Sequence, residues 1–86
     1  MIRVELYEGA RQIAGVAYVE VEATSLGEAL ESLRRLHPEL EPRVLLATGL
    51  APHWRASLGG RRFVEDPATP LNPGETVLLV SALAGG

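Results

Sequence analysis

The sequence predicts an α+β domain, with one main helix packed on a single face of a mixed sheet of four or five strands. Three features point to it. Apolar and polar residues alternate with period two in two neighbouring segments near the start. A capped segment in the first half carries one apolar stripe at helical spacing, and a segment near the end is apolar on both faces. At 86 residues the chain has room for one thin core, burying about 60–65% of its unfolded surface.

Ile2, Val4 and Leu6 alternate with Arg3, Glu5 and Tyr7, the signature of a half-buried strand. Gly9 and Gly15 bracket Ala10 to Ala14, a stretch read as a helical turn or wide loop because it is too short for a stable helix. A second alternation places Ala17, Val19 and Val21 on one face and Tyr18, Glu20 and Glu22 on the other. The two strands are expected to pair antiparallel. Ser25 and Glu28 have capping-box spacing, and Leu26, Ala29, Leu30, Leu33 and Leu36 follow as one stripe. Glu31 and Arg35 are placed to pair across a turn, and His37-Pro38 ends the helix. Pro42 suits the start of a second short helix carrying Val44, Leu45 and Leu46 and ending near Gly49. Trp54, Ala56 and Leu58 alternate with Arg55 and Ser57 as a third strand. Gly59-Gly60 signals a hairpin turn into a short strand over Arg61 to Val64. Residues 65–71 read as loop and Asn72-Pro73-Gly74 as a turn. Thr76 to Ala82 is the doubly apolar segment, hence a central strand.

A central strand needs neighbours on both sides, and the first strand is the natural partner. Parallel pairing of the first and last strands, both central, under one main helix is the β-grasp, or ubiquitin-like, arrangement. Residues 1–82 are expected to form this domain, and 83–86 a flexible Gly-Gly tail.

Composition narrows the function classes. The sequence has no Cys, which excludes disulfides, thiolate metal sites and a cysteine nucleophile. A net charge of −3 is a poor footprint for nucleic acid. Apolar runs such as Val77 to Val80 are far shorter than a membrane span, and Met1 to Glu5 lacks a signal pattern, so a cytoplasmic protein is expected. His37 and His53 have no partner at ligand spacing, so no metal site and no catalytic residue is assigned. Ser25 is accounted for by its cap. What stands out is the end, Leu83-Ala84-Gly85-Gly86. Glycine lacks a Cβ, so such a tail can thread a narrow slot in another protein and present an unhindered carboxylate at Gly86. Parity puts Val77 and Leu79 under the helix and leaves Leu78, Val80 and Ala82 facing outward. Tyr7 is expected to join them with Arg62 at their flank, an apolar patch suited to partner binding.

Met1-Ile2-Arg3-Val4-Glu5-Leu6-Tyr7, then Ala10-Arg11-Gln12-Ile13-Ala14-Gly15, resembles the opening of the MoaD family, the small subunit of molybdopterin synthase. Leu71 through Gly74-Glu75-Thr76-Val77 to Leu83-Ala84-Gly85-Gly86 resembles the same family's close. Two positions depart from its pattern. Ser81-Ala82 stands where MoaD chains commonly carry consecutive prolines, and Gly59-Gly60 where many have an Asn-containing turn. MoaD and the related ThiS family are ubiquitin-like sulfur carriers. The resemblance implies that an E1-like adenylyltransferase of MoeB/ThiF type consumes ATP to adenylate Gly86. A sulfur donor protein then supplies the sulfur that displaces AMP and leaves a thiocarboxylate. It also implies a MoaE-type large subunit as acceptor partner, no cofactor bound by the chain itself, and catalysis supplied by the partners. Related carriers serve thiamin synthesis, tRNA thiolation and cysteine synthesis, and some members are conjugated to protein lysines.

Overall fold

Burial of Ile2, Val4 and Leu6 on one side of an extended segment creates β1 (Ile2–Leu6), with Arg3 left in solvent. The computed structural model describes residues 1–82. From β1 the chain passes through α1 (Glu8–Ala14), β2 (Tyr18–Val21) and α2 (Leu26–Leu36), then a 3-10 turn over Pro38–Leu40. It continues as β3 (Leu45–Leu46), β4 (Gly49–Leu50), β5 (Trp54–Leu58), β6 (Arg62–Val64) and β7 (Thr76–Ser81). The main sheet has the order β2-β1-β7-β5-β6. β1 and β7 lie parallel, with Arg3 level with Thr76 and Leu6 level with Leu79, and the remaining pairs are antiparallel. The predicted parallel central pair is therefore present, and the sheet has five strands.

α2 forms because its amides are satisfied at the start and its stripe is buried along its length. The Ser25 hydroxyl accepts the Glu28 amide at 3.3 Å, and the Glu28 carboxylate accepts the Thr24 amide at 2.8 Å. The loop before β7 caps it further: the Leu26 amide donates to Thr69 and the Gly27 amide to Pro67. Leu26, Ala29, Leu30 and Leu33 pack onto Ile2, Val4, Val77 and Leu79, while Leu36, at the end of the predicted stripe, is 58% exposed. Glu31 pairs with Arg34 at 2.8 Å instead of the expected Arg35, because Arg34 also reaches Glu41 and one guanidinium serves both carboxylates.

Two elements differ from expectation. Glu8–Ala14 is a true helix, not a loose turn. Ala10 is fully buried against the core and Gly15, at φ 76, closes the last turn by donating its amide to Arg11. No helix starts at Pro42. The chain turns there, and Leu45 and Leu46 pair with Leu50 and Gly49 in a small separate hairpin. A three-residue apolar run cannot distinguish helix from strand by periodicity. Here the choice is made by burial of Val44 and Leu45, by the Ala51 amide donating to Val44, and by Gly49 at φ 134.

Candidate functional site: the outer face of the sheet and the exit of its central strand

Strand parity divides the sheet into a buried face under α2 and an outer face. Opposed residues share a face, so the registers can be read across all five strands. One outer row runs Tyr18, Glu5, Leu78, Ser57, Phe63. Val80 stands two residues further along β7, opposite Arg55. Leu78 and Val80 are half-buried, while Tyr18 and Phe63 are 48% and 60% exposed. Tyr7 follows β1 at the level of Val80 and is 36% exposed. Its hydroxyl donates to Glu5 at 2.6 Å, which ties it to the outer side. That bond, with Glu5's charge and slight burial, raises the phenol above its ordinary value, against a lowering by Arg11.

Cations frame the apolar residues. The Arg3 guanidinium lies 4.1 Å from the Tyr18 ring centre, and that of Arg55 lies 5.8 Å from Phe63. Beside Leu78 the Gly59-Gly60 turn closes the β5–β6 hairpin, both glycines at positive φ. A Cβ on Gly60 would come 3.6 Å from Leu78. β7 ends at Ser81, and the amide of Ala82 donates to the carbonyl of His53, whose φ is 73. The strand's continuation is thereby tied to the turn that opens β5.

Of the sequence-predicted residues, the structure brings together Tyr7, Leu78 and Val80, with exposed Ala82 directly beyond them. Arg62 does not join them. It stands opposite Leu58, two residues from buried Val64, so its side belongs to the helix face. It also lies at the level of Val77, the far end of β7 from Ala82. Its neighbour Phe63 occupies the outer face instead. The alternation of Arg62, Phe63 and Val64 held that information once Val64 was taken as core, and the alternation of β2 did the same for Tyr18. Leu83, Ala84, Gly85 and Gly86 lie outside the described residues.

Among the described residues there is no group of three or more His, Asp or Glu that could hold a metal ion. His37 caps α2 and contacts Glu39 at 2.8 Å, far along the chain from His53. No helix among the described residues is long and apolar enough to cross a membrane. An open cleft of about 590 Å³ lies between α2, the β3–β4 hairpin and β5, with Leu30, Leu50 and Trp54 in its wall and Phe63 and Ala82 also lining it.

SAMP1 from Haloferax volcanii superposes at a TM-score of 0.84 and 26% identity, over 99% of this chain and 98% of that one. A chain of the Amycolatopsis orientalis BexX/CysO complex matches at 0.82 and 18% identity, with 100% of both covered. The chain has the ubiquitin-like β-grasp fold of the MoaD/ThiS carriers. A third likeness is to the complex of subunits 1 and 2 of molybdopterin-converting factor from Helicobacter pylori, at 0.65 and 17% identity over 99% and 97% of the two chains. No family model and no curated protein matches the sequence. These neighbours share the fold that carries the parallel central pair, and two of them were solved as complexes with a partner protein.

Proposed function

We propose that this chain is a sulfur carrier, most simply the small subunit of a molybdopterin synthase, working in the cytoplasm and dependent on partners for catalysis. The supporting geometry is at the end of β7. A central strand, locked between β1 and β5, carries outward Leu78 and Val80 to Ala82, and the sequence then runs straight into Leu83-Ala84-Gly85-Gly86. A carboxylate is a poor acyl donor. An E1-like partner transfers AMP from ATP to Gly86, expelling pyrophosphate and making a mixed anhydride. Sulfide attacking the carbonyl expels AMP and leaves the thiocarboxylate directly; a partner's persulfide expels AMP to give an acyl disulfide, whose S–S bond a second thiol of that partner cleaves, forming the partner's disulfide and releasing the thiocarboxylate. That soft nucleophile is spent in the acceptor partner's active site, and the carboxylate of Gly86 is restored. The outer face around Tyr7, Leu78, Val80 and Ala82, extended by Phe63, is the docking surface for the large subunit and the activating enzyme.

A second reading is favoured by the 26% identity to SAMP1, a small archaeal modifier protein. In that reading Gly86 forms an amide with lysines of target proteins. Intact-mass spectrometry after incubation with a MoeB/ThiF-type enzyme, ATP and a sulfur source separates the two. A carrier becomes heavier by the difference between one sulfur and one oxygen. A modifier appears as larger adducts, and an unchanged mass overturns both readings.

A further inference from the structure

The sequence contains eight Arg and Lys residues together, and all eight are Arg. No side chain therefore carries a primary amine. The tertiary structure gives this consequence at one place, the exit of β7. Four residues follow Ala82, and fully extended they reach about 14 Å. Inside that radius lie His53, whose carbonyl accepts the Ala82 amide, Arg55, opposite Val80 on β5, and Tyr7, level with Val80 on the other side. Arg11 sits close enough to Tyr7 for its charge to act on the phenol.

An activated glycine carbonyl, whether adenylate or thioester, is consumed by any neutral amine it meets. A C–N bond forms, the C–O or C–S bond breaks, the leaving group takes the electron pair, and the amine loses a proton. A guanidinium stays protonated at working pH and has no such lone pair to give. The Tyr7 hydroxyl is engaged in donating to Glu5 and stays a neutral phenol. The backbone nitrogen of Met1 is remote. Met1 accepts the Gly74 amide at the opposite end of the sheet, and the 6 residues of β7, about 20 Å, separate that end from the exit.

We propose that this chain is a one-way acyl donor. The amine-free surface around the β7 exit offers an activated Gly86 no group that would form a stable amide, the His53 imidazole giving at most an acyl-imidazole that water returns to the acid, and it prevents the chain from linking to its own side chains or to those of further copies. This rests on the carrier reading of Gly86, but its test does not need the activating partner. The full chain is prepared with a small-thiol thioester at Gly86 and followed by intact mass at mildly alkaline pH. The native protein is expected to decay only to the free acid. Arg55→Lys places an amine inside the tail's reach while keeping the charge. It should lose its thioester roughly ten-fold faster, giving a species one water lighter than the acid, because a tethered amine acts at a high effective concentration. Arg61→Lys, in the turn at the Thr76 end of the sheet, should behave as the native chain does. A self-adduct or oligomer from the native thioester, or an Arg55→Lys protein that only hydrolyses, overturns the proposal. Adenylation by the E1-like partner is scored separately, so a failure of the carrier reading is seen on its own.

Discussion

Leu33 is 0% exposed and sits where α2 meets the sheet, so its truncation leaves a hole that the neighbours cannot fill. Leu33→Ala should cost about 2–5 kcal/mol, read as a lower Tm in thermal unfolding. Glu28 acts through a different force. The Thr24 amide, and then its hydroxyl, hold the Glu28 carboxyl below its ordinary 4.5. A depressed folded value means the contribution is fully present above 4.5 and is lost as pH falls through the folded value. Glu28→Gln should therefore lower Tm at neutral pH, and its gap from the native protein should close in melts taken progressively below 4.5. On the outer face, Phe63→Ala removes an exposed ring and should leave stability within about 0.5 kcal/mol of native. The same change should weaken capture by a MoaE-type subunit by about ten-fold or more, whereas Arg62→Ala, on the other face, should leave capture unchanged.

Secondary-structure elements here are held as much by their neighbours as by their own sequence. Gly27 lies in the first turn of α2, where alanine would be the better helix former by about 1 kcal/mol. Yet a Cβ at that position would stand 3.1 Å from the Pro67 side chain and 3.2 Å from the Pro67 carbonyl oxygen. That carbonyl cannot retreat without stretching its bond from the Gly27 amide. Gly27→Ala should therefore lower Tm despite its propensity gain. The same contact explains why residues 65–71 are ordered loop and not slack chain: Thr69, Pro67 and Leu71 all bond to the start of α2 or the residues before it.

At the scale of the molecule, the parallel β1–β7 pair sends the first strand and the last toward the same end of the sheet. Tyr7 and Ala82 consequently emerge side by side, and the outer apolar patch leads directly to the exit. The hydrogen-bonded framework of the described residues runs through Ala82. Removing Gly86, or extending the chain beyond it, should abolish thiocarboxylate formation while shifting stability by no more than about 0.5 kcal/mol. A large loss of Tm on that deletion would count against a tail that serves partners and not the fold.

Alternation in residues 2–7, 17–22 and 54–58, the doubly apolar run of 76–82, and the Ser25–Glu28 cap with its stripe determined these strands, the main helix and the face to which most of their side chains belong. Local chemistry suffices there, because a period of two or 3.6 is written in consecutive residues. Leu78, Val80 and Tyr7 were legible for that reason, as was the glycine pair at the end. Only the tertiary structure decided that residues 45–50 form a hairpin and that Glu8–Ala14 is a helix, and it supplied the burial of Val64 from which the alternation of β6 puts Phe63, not Arg62, in the outer row of Leu78. Each of those outcomes depends on contacts between residues distant in sequence, and a short apolar run satisfies helix and strand equally well until its neighbours take one face away from water.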